Sequence, residues 1–324
     1  MMPRAFAIAL ATAALWAVYL VVTRFVVAGA GLDPWAYTLV QLLSGGLAIA
    51  WLGRTAPGDW RGLFTPWMVG YGALRVGITG ASSAALAWVS VTQSTLLSTA
   101  NVLIGALATY IAYRLAPPRG EGAPLAALAL GVAVLVVCLQ PGTAYWGVLW
   151  LLASEAGVVI AALAVEKHPR NRADDMAARS RFTAETLIIT SIVLIVAWTL
   201  AGLVGLARSP WDGGGNAFGN PMLWLWGIGA GLLFRAPGQW LTFYTLRHAG
   251  TQAYLIALTL MPAFAIAFEL AAGRMGWIAA PALAQGEWLG TAVILAAGCW
   301  LMTLRLRPVA FHAAPRRKAP DREA

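Results

Sequence analysis

Three charged side chains, Arg75, Arg235 and Glu155, interrupt long apolar runs. A charge at the centre of a bilayer costs about 2.5–3.5 kcal/mol by the lower insertion estimates, so each marks a functional position by default. At a helical rise of about 1.5 Å per residue, Arg75 lies roughly 12 Å beyond Trp67 and Arg235 roughly 14 Å beyond Trp226. Glu155, about ten residues into its own run, falls at a similar depth. Two guanidiniums and one carboxylate leave an excess cation, and an unpaired buried charge is costly unless water or an anion meets it. A planar guanidinium can hold a carboxylate or phosphate bidentately. The three residues therefore predict a hydrated cavity with Arg75 or Arg235 as the docking charge for an anionic small molecule. The competing reading, an Arg–Glu155 pair that only locks two helices, can account for one arginine and not both. Glu155 is also a candidate for proton coupling.

Other polar and aromatic residues fall inside the same kind of run. Gln41, Asn101 and Gln239 are mid-run amides, which either face the cavity or hydrogen-bond between helices. Gln93 and Gln252 follow Thr92 and Thr251 at helix starts, where threonine caps the helix and glutamine is left to face inward. Trp16, Tyr19, Trp240, Tyr244 and Tyr254 can wall a pocket, although most of the 16 Trp, Trp67 and Trp226 included, also suit an interfacial belt. Arg24, near the end of the first run, is expected to snorkel, and Glu185 and Glu269 are expected at interfaces. The sequence contains no His-Glu-x-x-His zinc motif and no Walker sequence. His168, His248 and His312 sit outside the runs. The expectation is a non-enzyme without metal or cofactor. A membrane enzyme would have to use the polar stretch 166–181, whose His168, Asp174 and Asp175 read better as a solvated connector. A non-transporting scaffold is the other alternative.

These residues need long apolar helices to hold them. The chain is 60% hydrophobic and 11% charged, with a mean hydropathy of +0.72, whereas soluble domains carry about 25% charged residues. The net charge of +9 does not point to nucleic acid, because the basic residues flank apolar runs rather than forming one face. Cys138 and Cys299 lie inside runs and read as packing residues, not as a disulfide. Spanning helices of roughly 20 residues are predicted at 5–28, 34–53, 67–88, 94–113, 123–140, 145–165, 183–206, 222–245, 252–272 and 287–304. The first exceeds the roughly 7–15 residues of a secretory signal core and reads as a span. Turn chemistry separates the runs at Gly31-Leu32-Asp33-Pro34, Ala116-Pro117-Pro118, Gln140-Pro141-Gly142 and Gly213-Gly214-Gly215-Asn216.

A repeat organises these spans. Trp67-Met68-Val69-Gly70-Tyr71-Gly72-Ala73-Leu74 recurs as Trp226-Gly227-Ile228-Gly229-Ala230-Gly231-Leu232-Leu233, a shift of 159 residues. The same shift carries Thr92-Gln93 onto Thr251-Gln252, and Leu130-Gly131-Val132-Ala133-Val134 onto Leu289-Gly290-Thr291-Ala292-Val293. Five helices per unit is an odd number, so the second unit enters the membrane from the opposite side. Substrate sites in such inverted repeats lie near midplane between the halves. The expected fold is all-α integral membrane, ten transmembrane helices as two inverted five-helix repeats. Residues 1–141 form the first repeat, 142–307 the second and 308–324 a disordered basic tail. Of the 22 Lys and Arg, Arg24, Arg75 and Arg235 lie within spans and Arg208 and Arg274 on one side. All the others fall on the side of the N-terminus. Positive charge favours the cytoplasmic side, so both termini are expected there, in a multi-pass plasma (inner) membrane protein that is a monomer or homodimer.

Over nearly its whole length the chain resembles EamA-type members of the drug/metabolite transporter superfamily. The resemblance is carried by Ala14-Leu15-Trp16-Ala17-Val18-Tyr19 with Arg24, by Asp33-Pro34, and by Gly250-Thr251-Gln252-Ala253-Tyr254 followed by Leu260-Met261-Pro262-Ala263, Phe268-Glu269, Leu289-Gly290 and Ala297-Gly298. Gln41 stands where such proteins often carry Arg, and the first half has no counterpart of Pro262. The resemblance implies ten helices, cytoplasmic ends and the movement of small organic metabolites, often outward.

Overall fold

The structure is a computed structural model and describes residues 2–53, 66–114, 117–118, 120–139, 144–172, 176–203, 217–279, 281 and 283–306. The expected turns at 140–142 and 213–216, Asp174, Asp175, His312 and the tail 308–324 lie outside these residues.

Among the described residues the chain is helical throughout, without strands. In chain order the helices are α1 (Met2–Arg24), α2 (Pro34–Leu52), α3 (Pro66–Ala85), α4 (Val91–Ser98), α5 (Ala100–Tyr113), α6 (Gly122–Cys138) and α7 (Ala144–Lys167). They continue as α8 (Pro169–Arg172), α9 (Met176–Leu203), α10 (Pro221–Ala230), α11 (Ala236–Leu258), α12 (Met261–Arg274) and α13 (Gln285–Leu306). Two wide turns of π-helix join in, Phe25–Gly29 after α1 and Gly231–Arg235 between α10 and α11. Among the described residues six stretches are long and apolar enough to cross a membrane, and a seventh joins α10–α11 to α12 across a 52° bend. The chain is an all-α membrane protein. Four predicted spans fail this test alone: α3 carries Arg75, α6 has 17 residues, and the eighth and ninth merge into the bent pair.

Local chemistry sets the helix ends. Asp33 accepts from the backbone N–H of Trp35 and Ala36 at 2.8 and 2.7 Å, with Pro34 in the first turn. Proline is preorganised for that position because its missing N–H would be unpaired there anyway. Ser90 and Gln93 form a reciprocal capping box at the start of α4. Within α11, Gly250 takes φ 79° and ψ 168°, which divides the helix into two and starts a new turn at Thr251. A left-handed φ of this kind suits glycine, which has no Cβ to clash.

Two helices are broken in the same way. The α4–α5 break falls at Thr99 (φ −64°, ψ −17°), whose hydroxyl donates to Leu96 O at 2.6 Å. The α11–α12 break falls at Thr259 (φ −64°, ψ −16°), whose hydroxyl donates to Ile256 O at 2.7 Å.

Packing pairs α2 with α9, α6 with α13, α3 with α7, and α1 with α11 and α12. The α6–α13 contact is reciprocal. A Cβ on Gly131 would meet Gly290 O at 3.2 Å and Ile294 N at 3.2 Å; one on Gly290 would meet Gly131 O at 3.1 Å and Leu135 N at 3.3 Å. Gly131 and Gly290 are repeat equivalents, as are Leu135 and Ile294. The contact thus exchanges residues at the 159-residue spacing of the sequence repeat. Helix α7 runs antiparallel to α3, since Gly147 packs on Val89 and Trp88 while the His168 ring lies against Trp67 with centroids 4.4 Å apart.

Candidate functional site

Helices α1, α3, α4, α5, α7, α11 and α12 and the turn Gly231–Arg235 surround a cavity of about 120 Å³, room for several waters or a small organic group. Arg75, Arg235 and Glu155 all line it, as do Trp16, Tyr19, Asn101 and Tyr254.

The two arginines cross. Arg75 donates through Nη2 to Gln239 Oε1, and Arg235 donates through Nη2 to Thr79 Oγ1 at 2.6 Å. Thr79 lies one turn beyond Arg75, and Gln239 one turn beyond Arg235. Each guanidinium thus reaches the helix that carries the other. Arg75 and Arg235 are 160 residues apart, one more than the shift of 159 that relates the flanking blocks. The extra residue is taken up by the π-helical turn Gly231–Arg235. A π turn closes its hydrogen bond over one more residue than an α turn, which gives room for the extra residue. The backbones approach closely here: a Cβ on Gly231 would lie 2.7 Å from Gln41 O, and one on Gly45 3.2 Å from Arg235 Cγ.

Arg235 is 3% exposed, and its guanidinium carbon lies 5.2 Å from the ring centroid of Trp16 and 5.9 Å from that of Tyr19. Those distances are within cation–π range. Trp16 Nε1 donates to Thr242 Oγ1 at 3.2 Å, and Thr242 is 3.3 Å from the Tyr254 hydroxyl. The aromatic wall is thereby fixed from α1 to α11. The Nε atoms of both arginines and the Tyr19 hydroxyl are buried without a hydrogen-bond partner among the described residues.

Glu155 forms the opposite pole. Ser98 Oγ donates to its Oε1 at 2.6 Å and Asn101 Nδ2 to its Oε2 at 3.2 Å. Both donors flank the α4–α5 break, so the carboxylate reads the position of that joint. Among the described residues no ion pair within 4.0 Å involves Arg75, Arg235 or Glu155. The helix-locking Arg–Glu155 pair is therefore not formed here.

The remaining sequence candidates sit elsewhere. Gln239 is fully buried and holds Arg75 from behind the cavity wall. Gln41 is fully buried in α2 against the π turn, away from the cavity. Gln93 closes the capping box and donates to Glu287 Oε1 at 2.6 Å. Trp240 stacks on Tyr244, and Tyr244 on His248, outside the cavity. Gln252 donates to Thr109 Oγ1 at 3.0 Å and lines a separate cavity between α5, α6, α11 and α13.

Sequence reasoning overlooked the small polar lining residues Thr79, Ser82, Ser98, Ser154 and Thr242. Helical spacing held the signal: Thr79 is four residues from Arg75 and Ser154 adjoins Glu155. Three charged residues near span ends are also more enclosed by protein than expected. Glu269, expected at an interface, is 0% exposed, and its carboxylate accepts from Val91 N, Thr92 N and Thr92 Oγ1 at 3.0, 2.8 and 2.7 Å. Arg24, expected to snorkel, donates to the carbonyls of Leu86 and Val89 and lies 3.8 Å from Glu269. Glu185, likewise expected at an interface, is 8% exposed and pairs with Arg170 at 2.8 Å.

No protein-family model matches the chain, and no curated protein matches it. Among solved structures 27 chains match. One, described only as "Crystal structure of protein", aligns over 92% of this chain and 98% of its own length, with a TM-score of 0.54 and 17% identity. At that identity the likeness shows a shared fold for nearly the whole chain.

Proposed function

We propose that the chain is a secondary carrier of the EamA type that moves a small organic anion by alternating access, with the cavity between its halves as the substrate site. The observation that carries this reading is the crossed pair Arg75 and Arg235: two guanidiniums in one cavity, held by neutral partners and, among the described residues, by no carboxylate. A cavity built in this way leaves positive charge for a ligand to neutralise, and carboxylate or phosphate answers the planar fork. Glu155 at the far pole suits a ligand that also bears an amine, which makes an amino-acid-like solute one member of the class. Outward movement follows from the resemblance alone.

In this reading the chain has ten spans in two inverted halves, with both termini on the cytoplasmic side of a plasma membrane. The reciprocal Gly131–Gly290 packing, the matched breaks at Thr99 and Thr259 and the crossed arginines support the inverted repeat. Glu155 is the proposed proton-exchange group, because its hydrogen-bond partners are neutral and sit at a helix break.

Transport in proteoliposomes tests the proposal. Arg75→Ala and Arg235→Ala should each abolish uptake and efflux while the protein reaches the membrane at normal levels. Wild-type rates in both variants would refute anion docking.

A further inference from the structure

Thr92 and Thr251 are repeat equivalents, and each gives both its N–H and its hydroxyl to a single carboxylate oxygen. For Thr92 the acceptor is Glu269 Oε2, at 2.8 and 2.7 Å. For Thr251 it is Glu166 Oε2, which lies 3.0 Å from the N–H and also accepts from the hydroxyl. The two threonines open the two broken helices. A carboxylate at such an N-terminus satisfies free N–H groups and meets the positive end of the helix dipole.

The two caps lie at opposite ends of the bundle. Glu269 sits where α1, α3 and α4 meet, since Arg24 joins it to the carbonyls of Leu86 and Val89. Glu166 lies near the C-terminal end of α7, two residues before His168, whose ring lies against Trp67 at the start of α3. Each capped half-helix ends in the central cavity. Helix α4 finishes at Ser98, the donor to Glu155, and the turn from Thr251 carries Tyr254 and Leu258 into the wall.

We propose that Glu166 and Glu269 are paired positioning residues: each latches one broken helix to its end of the bundle, and releasing a latch opens the cavity to that end. The inference rests on the carrier reading above and adds the parts that would govern its two gates. Glu269 ties α12 to α4, and Glu166 ties α7 to the second half of α11, so each bond joins two elements that line the cavity. Neither carboxylate lines the cavity, so neither touches the ligand.

Sided labelling tests this without knowledge of the substrate. The reporter is Val158→Cys, a cavity-lining position, in a Cys138→Ser, Cys299→Ser background. A membrane-impermeant maleimide is applied to right-side-out and to inside-out vesicles. Glu166→Gln should raise labelling about tenfold from the side assigned as cytoplasmic, and Glu269→Gln by a similar factor from the outer side, the loss of one charge-assisted bond. Thr251→Ala and Thr92→Ala keep the backbone donor and should shift labelling in the same directions by less. They replace the glutamine variants should those fail to reach the membrane. Equal changes from both sides, or none, would overturn the latches, because a merely structural defect has no preferred side. If the parent with intact Glu166 and Glu269 is labelled from both sides at once, or from neither, the carrier reading fails instead.

Discussion

Arg75 holds Gln239, one helical turn beyond Arg235, while Arg235 holds Thr79, whose hydroxyl in turn bonds the Arg75 carbonyl, so the two arginines share one network from different helices. Residues in one network do not contribute independently. The Arg75→Ala/Arg235→Ala double variant should therefore bind anions no more weakly than the worse single variant, by calorimetric titration. Additive losses would separate the two sites.

Lysine should not replace either arginine. Its compact ammonium cannot reproduce the planar fork. Losing one hydrogen bond to a charged group costs about 1.5–3 kcal/mol, so Arg75→Lys and Arg235→Lys should each weaken anion affinity by about 10- to 100-fold. Near-native affinity in either would reduce the role of the arginines to bare charge.

The π turn offers a sharper test of geometry. Leu233 is 67% exposed and packs little within the protein. Deleting it should convert Gly231–Arg235 to ordinary α-helix and leave Arg235 facing Thr79, because the turn only takes up the extra residue. Helicity by circular dichroism and anion binding should both persist. Loss of binding with helicity intact would show that the π turn itself, and not only the register it preserves, positions Arg235.

Glu155 should couple the cycle to protons. Glu155→Gln should leave counterflow exchange of labelled substrate measurable but make net flux indifferent to an imposed pH gradient. A gradient response equal to that of the native protein would remove Glu155 from coupling.

His168 gives a pH effect at the membrane edge. Burial first, then the neighbouring Arg170 charge, lowers its pKa below the ordinary 6.5. The folded state therefore binds this proton less readily than the unfolded state, and stability should fall as pH drops from 6.5 through the lowered value. His168 Nδ1 accepts from Arg170 N at 3.3 Å, and the ring lies against Trp67 and Phe182, with centroids 4.4 Å from each. His168→Phe should flatten that part of the acid melting profile, measured by fluorescence.

Much of this was legible in the sequence, and the exceptions have physical causes. Buried charge is expensive, so Arg75, Arg235 and Glu155 stand out from an apolar background and point to the cavity they line. Aromatic and amide residues carry no such signal. Tyr254 and Trp240 look alike in sequence, yet one lines the cavity and the other stacks outside it, because only helix rotation tells them apart. Glu269 lies near the end of a helix, which suggested an interface; the sequence gives no sign that the start of α4 is packed against it. The repeat shift of 159 residues was readable, but the 160-residue spacing of the two arginines gains meaning only when the π turn is seen to absorb the difference.

The account rests most directly on anion binding by the purified protein, measured as thermal stabilisation across carboxylates, amino acids, sugar phosphates and cationic drugs. It predicts that at least one anionic or zwitterionic compound raises the melting temperature, and that Arg75→Ala and Arg235→Ala each remove the effect. Stabilisation by cations alone, or by anions that act equally on both variants, would contradict it.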